Sequence, residues 1–395
     1  MNLECRKKRA AAAPATTATH APHQCRQKPG IKTSEPALFC IKMRSNTTKH
    51  QASSATFAAM SEELPTGNTE TPASPNVQLA TQPIAAKPAS LDTDPSDAWA
   101  MLHGRLCIAL AGNTEGADLQ QRLNFIADGI AQLSAKRADD SLFVLVQMLF
   151  DNRSNYSATH ALLCALICQM MCEPAGISDD DQVALVRAAL TMNIGMTQLH
   201  DQLSRQAQSP SSDQKQDIQS HPIKGAEILR ERGVQDPTWL SLVEDHHEDP
   251  SGVGYPRGKT DLTQAQQLLH LVDLFAAHIS PRKSRRSLAP NAAVADMYLK
   301  SQNKESPLGA IFARKMGMYP PGTYVELKNK EIAVVVRRGE RVHMPVVMAI
   351  ADAQGMPLST PSRRNTELAA FAVQNPVATE DVKISVDVYR MLKRV

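Results

Sequence analysis

His246-His247-Glu248-Asp249-Pro250-Ser251-Gly252-Val253-Gly254-Tyr255-Pro256 puts two adjacent histidines in front of a loop rich in Gly and Pro. Upstream, His221-Pro222-Ile223-Lys224-Gly225-Ala226-Glu227-Ile228-Leu229 puts a third histidine at the head of an apolar helical run. Adjacent histidines inside a helix aim their rings about 100° apart, because the helix turns once per ~3.6 residues. They serve one metal only at a helix end or side where the rings converge. Working outward, Asp273 lies in the apolar run Leu271-Val272-Asp273-Leu274, and His160 closes Tyr156-Ser157-Ala158-Thr159-His160. Imidazole and carboxylate suit zinc, iron and manganese. Such a metal lowers the pKa of bound water and creates a nucleophile near neutral pH. A single histidine is ordinarily a surface or core imidazole, so the inference rests on the order of the whole set.

The surroundings of these residues read as helix. Over 93–317, Asp94-Pro95-Ser96-Asp97 offers N-cap chemistry ahead of Trp99, Leu102, Leu106 and Ile108. Leu119, Leu123, Ile126 and Ile130 recur at helical spacing, as do Leu142, Leu145, Val146 and Leu149. Asp179-Asp180-Asp181 caps the next run, and further helices are predicted around 225–232, 239–247, 264–279 and 291–299. Residues 318–395 change character. Tyr319-Pro320-Pro321-Gly322 signals a turn, and 323–327, 332–336 and 346–350 are β-branched runs, with 384–388 a candidate further strand. Arg337, Arg338, Glu340 and Arg341 read as protection of a sheet edge. The fold class expected is mainly α: a helical bundle with a small C-terminal antiparallel β appendage and a disordered N-terminal tail.

That tail, residues 1–92, is dominated by Ala, Pro, Ser and Thr and buries too little apolar surface to offset its ordering entropy. Its basic start fits a disordered arm, a transit peptide, or translated upstream sequence with the start at Met43 or Met60. The charge balance, 43 basic against 40 acidic residues, gives no reason to expect a nucleic-acid polymer or an anionic membrane as partner. No apolar run reaches membrane-spanning length. Seven cysteines without a zinc-type CxxC pair fit a reduced, cytoplasmic setting. Cys164, Cys168 and Cys172 follow His160 at steps of four. They are expected to pack as small hydrophobes, with a soft-metal stripe as the other reading. His200, His270 and His278 have no partner in the pattern and are expected to be structural or exposed.

From Tyr156 to about Pro290 the chain resembles the HD-GYP family of the HD phosphohydrolase superfamily. The His-Pro segment 221–229, the pair His246-His247 with Gly254-Tyr255-Pro256 at the family's spacing, and Asp273 carry the resemblance. It implies hydrolysis of cyclic di-GMP in bacterial signalling with two or three metals. It implies His160, His221, His246, His247 and Asp273 as ligands, and Gly254, Tyr255 and Pro256 as the loop lining the nucleotide pocket. Arg282, Lys283, Arg285 and Arg286 lie where the family places basic residues facing phosphates, and a solvated basic turn is the alternative reading. Arg's fork and Lys's point charge both suit phosphate.

The sequence departs from this pattern at its centre. Aligned by Ala188-Ala189-Leu190, the family's His-Asp pair becomes Met192-Asn193, and the Lys that follows becomes Met196, with Ile194-Gly195 kept. The resemblance implies that the lost Asp would bridge two metals. Asn offers one neutral oxygen and two N–H donors, and Met a soft thioether. His160 and Asp273 would be left alone in one site and His221, His246 and His247 in the other. Three histidines still suffice for one divalent zinc, iron or manganese ion with an open position. The expectation is an HD-GYP-type protein with impaired or absent phosphodiesterase activity, with cyclic di-GMP and signalling proteins as partners. The alternative is a non-catalytic nucleotide-sensing or protein-interaction module.

Overall fold

Asp94 starts the first helix by accepting a hydrogen bond from Ser96 N at 2.9 Å, with Pro95 fixing the first turn. The computed structural model describes residues 94–112, 116–151, 155–300 and 307–395, so the expected tail over 1–92 lies outside the described residues. In chain order come α1 (Pro95–Leu110), α2 (Gly116–Asp151), α3 (Tyr156–Met171), α4 (Asp179–Thr191) and a 3-10 turn (Ile194–Met196). Then follow α5 (Thr197–Arg205), α6 (Ser212–Glu231), α7 (Pro237–Asp245), α8 (Gln264–Ile279), α9 (Pro290–Lys300) and α10 (Leu308–Met316). The C-terminal part holds β1 (Tyr324–Leu327), β2 (Ile332–Arg337), β3 (Val346–Ala351), β4 (Pro357–Asn365), β5 (Val373–Val377) and α11 (Val388–Leu392). Among the described residues, no helix is long and apolar enough to cross a membrane.

The helix α3 is apolar all round, and every residue in it except Gln169 is buried. A helix of that kind belongs in the middle of a core. It packs on α2, α4 and α8. Burial of each Leu or Ile along it contributes about 1.5–3 kcal/mol. This fixes His160 on α3 and Asp273 on α8 in the interior between packed helices. The helix α2 breaks at Arg137 (φ −148°, ψ 51°), which separates the two apolar runs read from the sequence.

The sheet is antiparallel in the order β4-β3-β2-β1-β5. Alternation along β2 sends Val334 and Val336 to a layer with Phe143 of α2, Tyr324 and Met348. Ala333 and Val335 face a second layer with Val325, Leu327 and Val347. Gln147 on α2 donates to Gly322 O at 2.6 Å and accepts from Tyr324 Oη at 3.1 Å, tying sheet to helix. Two expectations need correction. Residues 384–388 form no strand but irregular chain leading into α11. Arg337 and Arg338 do not guard an edge, because β2 lies inside the sheet. They pair with Asp140 and Asp139, just past the break in α2. β4 and β5, rich in Pro, Ser and Asn, lack the β-branched pattern that marked the inner strands.

The 3-10 turn meets α6 backbone to backbone. A Cβ built on Gly195 would lie 2.4 Å from His221 O and 2.8 Å from Gly225 N. Gly195→Ala must therefore separate the two elements. We expect a stability loss of about 1–3 kcal/mol, read as a lower thermal midpoint, together with weaker metal retention because His221 rides on α6.

Candidate metal centre

Pro222 explains how His221 is aimed. Lacking an N–H, it leaves the carbonyl four residues back, that of Ile218, without its helical donor. His221 Nδ1 lies 2.5 Å from that oxygen. A carbonyl only accepts, so Nδ1 carries the proton and Nε2 of the neutral ring carries a bare lone pair. The same device recurs at the end of α7. Val243 O, one of the terminal carbonyls left over by the helix, takes Nδ1–H of His246 at 2.7 Å. His246 Nε2 is thereby also bare.

These two bare nitrogens face each other at 3.0 Å. Two lone pairs at that distance repel unless a cation or proton stands between them. His247 completes the group, its ring centroid 4.1 Å from that of His246 and 5.1 Å from that of His221. Ligand-capable atoms of all three lie within 4.8 Å of one another. The pair follows α7 directly, the helix-end arrangement that adjacent histidines need in order to converge. Burial pushes all three imidazoles below their ordinary range, with His246 adding to the effect at the other two and His221 pushed down to about 3. Neutral imidazole is the ligand form. The donor set fits a divalent transition metal, which tetrahedral nitrogen ligands hold roughly 3.3 Å apart at Zn–N distances of ~2.0–2.1 Å.

His160 and Asp273 form a second group, with Nε2 to Oδ1 at 2.8 Å. Asp273 Oδ2 lies 3.8 Å from His247 Nδ1, so the carboxylate touches both groups. Burial alone would raise the Asp273 pKa. The hydrogen bond that His160 Nε2 donates instead holds it well below the usual carboxylate range. Several neighbours join this group. Tyr156 packs against the rings of His160 and His200, and Cys164 Sγ lies with the ligand atoms of His160 and Asp273. His200, expected to be structural or exposed, is buried and meets His160 edge-on at 5.2 Å. The i, i+4 step from His160 to Cys164 was legible in the sequence, where core packing was expected ahead of a soft-metal stripe.

Met192 caps the end of α4 and is fully buried in the main apolar core. Asn193 is 6% exposed and carries a side-chain amide nitrogen with no hydrogen-bond partner among the described residues. Met196 is half-buried ahead of α5.

The loop after the histidine pair is held by two buried carboxylates that sequence reading also passed over. Glu248, fully buried, accepts from Arg257 N at 2.7 Å and Lys259 N at 2.8 Å. Asp245 accepts from Arg257 Nη1, Lys259 Nζ and Gln266 Nε2 at 3.0, 3.0 and 2.7 Å. Between these anchors, Gly254 passes so close to the chain that a Cβ would lie 2.4 Å from Asp249 N and 2.6 Å from His247 O. Tyr255 then stacks on His247 at 4.5 Å and 26°, and Pro256 follows, half-buried.

The basic turn divides. Arg282 Nη2 donates to Tyr156 Oη at 3.3 Å. Arg285 donates to Ala277 O, Arg286 pairs with Asp381, and Lys283 is exposed. Of the four, Arg282 alone contacts the residues around His160.

Residues 144–305, about two fifths of the chain, match the model described as HD domain. Among individual proteins it is similar to the 3'3'-cGAMP-specific phosphodiesterase 3 of Vibrio cholerae serotype O1, with 25% identity over 189 residues. That match takes in 46% of this chain and 40% of the length of the relative. A solved HDG"Y"P protein from Bdellovibrio bacteriovorus shares 17% identity at a TM-score of 0.42, over 56% of this chain and 72% of the other.

Proposed function

We propose that this chain is an HD-GYP-type protein of bacterial cyclic di-GMP signalling that binds a cyclic dinucleotide and holds a divalent metal at its three histidines, but hydrolyses the nucleotide poorly or not at all. The observation that carries this reading is the contrast inside one site. His221, His246 and His247 keep the protonation, aim and convergence of metal ligands. Met192 is withdrawn into the apolar core, and Asn193 presents an amide where the family pattern has a bridging carboxylate.

When bound, the metal supplies Lewis-acid polarisation and charge neutralisation at a phosphate. The chain's own residues do the rest. The loop at Gly254, Tyr255 and Pro256 positions the nucleotide, with the Tyr255 ring as a stacking surface. Arg282 adds positive charge at the inner end. Without the bridging Asp, nothing in the retained set draws a second ion and the attacking group together. The relative's activity on 3'3'-cGAMP supports a cyclic dinucleotide as the ligand class.

Calorimetry of metal-loaded protein with cyclic di-GMP and with 3'3'-cGAMP, followed by analysis of the recovered nucleotide, tests this. Saturable binding with intact nucleotide is expected. Turnover typical of an enzyme, about 1 s⁻¹ or faster, would sink the reading. Absence of binding by either nucleotide would leave a protein-interaction module. Tyr255→Ala is expected to weaken binding by about 1–3 kcal/mol, the usual worth of base–aromatic stacking. An unchanged dissociation constant would remove Tyr255 from the pocket.

A further inference from the structure

Hydrogen-bond directions around Tyr156 are fixed from one end. Ser280 Oγ donates to Ala276 O at 2.6 Å, so it accepts from Tyr156 Oη at 2.9 Å. Arg282 Nη2 donates to the same phenol oxygen at 3.3 Å. The Tyr156 proton is therefore committed to Ser280. Toward His160 Nδ1, 3.5 Å away, the phenol oxygen can only accept. A contact that long sets no tautomer, and His160 Nε2, 2.8 Å from a carboxylate oxygen of Asp273, is the nitrogen that holds the proton when no cation is bound. A proton or a metal ion can stand between the imidazole nitrogen and the carboxylate.

Cys164 distinguishes these two. It lies one helical turn after His160, is fully buried, and its Sγ falls within 4.8 Å of the ligand atoms of both His160 and Asp273. A proton shared by imidazole and carboxylate needs no third donor. A soft-to-borderline cation does, and His, Cys and Asp together form a zinc-type set.

We infer that His160, Cys164 and Asp273 form a second metal site, in which Cys164 supplies as thiolate the anionic ligand that the chain lost at Asn193. Coordination replaces the S–H bond by a sulfur–metal bond, and the thiol proton leaves to solvent. The His160–Asp273 gap opens by roughly 0.5 Å to reach tetrahedral spacing at metal–ligand distances of ~2.0–2.2 Å. Thiolate in place of the lost carboxylate yields a site that holds metal, with Asp273 as its one link toward the three-histidine group. The inference deepens the proposed function, since it names why the second metal position no longer serves hydrolysis.

Cobalt(II) titration of the full-length, reduced, metal-free protein is the test, read by bound metal and by thiolate-to-cobalt charge-transfer absorption. Two equivalents with the charge-transfer band are expected. Cys164→Val should lose the band and one equivalent, Cys168→Val should keep both, and His246→Ala should lose the other equivalent while keeping the band. X-ray absorption at the cobalt edge of the wild-type protein, expected to show sulfur at about 2.3 Å, needs no variant and so stands even if Cys164→Val fails to fold. One equivalent with no sulfur ligand would overturn the second site and leave the three-histidine reading intact. A sulfur signal indifferent to Cys164→Val would overturn Cys164 as the ligand. No bound cobalt at all would overturn both readings together.

Discussion

Restoring the missing pair, Met192→His together with Asn193→Asp, is expected to raise hydrolysis of a cyclic dinucleotide by about 10²-fold or more over the wild-type protein. That is roughly 2.7 kcal/mol of barrier. The expectation follows from what is already in place. His221 and His246 have their tautomers fixed by carbonyls that Pro222 and the end of α7 leave free, and the loop carrying Tyr255 is anchored. What is absent is a carboxylate able to engage two cations at once. Asn193 cannot supply it, and its unpartnered buried amide shows that the position is not otherwise satisfied. Both changes are needed: Asn193→Asp alone adds a buried negative charge with too few cations around it, and Met192 leaves a ligand position filled by a thioether. Initial rates with added Mn, Fe or Zn decide the matter. A folded, metal-loaded double variant no faster than wild type would show that the pair was not the limiting loss.

The second large effect concerns Glu248. Its carboxylate is fully buried and takes two main-chain N–H groups of the loop that follows it. Glu248→Ala removes both bonds and strands both donors, and each charge-assisted bond is worth about 1.5–3 kcal/mol. We expect a loss of about 3 kcal/mol or more, and a thermal midpoint lower by roughly 6–12 °C for a domain of this size. Nucleotide affinity should fall as well, because the same loop carries Gly254 and Tyr255. Glu248→Gln keeps one acceptor but sets an amide N–H against a main-chain N–H, so it should fall between wild type and Ala. A midpoint within 1–2 °C of wild type for Glu248→Ala, well short of that fall, would show that the loop is held some other way.

Much of this was legible in the sequence. The helical domain followed from apolar spacing, and the inner strands from β-branched runs. The two side-chain groups that the fold brings together, His160 with Asp273 and the three histidines, could be named in advance because the order and spacing of the motifs carry them. The remainder was hidden for identifiable reasons. The helix α6 begins well before the predicted start at 225, because polar residues and Pro222 disguise it, although the Ser211–Gln214 capping-box spacing stands in the sequence. Asp245 and Glu248 look like surface charges until the loop folds back over them. Cys164 looks like core because it is core. Only the approach of α8, which brings Asp273, gives its sulfur polar company. Arg286, paired with Asp381, and the exposed Lys283 fit the solvated-turn reading of the basic run, while Arg282 turns inward to Tyr156.

The central claim is that a working metal site persists where the His-Asp pair has gone. Elemental analysis of the purified wild-type protein beside His246→Ala tests it most directly. The account predicts divalent transition metal in the wild-type protein and the loss of one equivalent in the variant. Wild-type protein that retains no metal after growth and purification in its presence, or a variant with the same content, would contradict it.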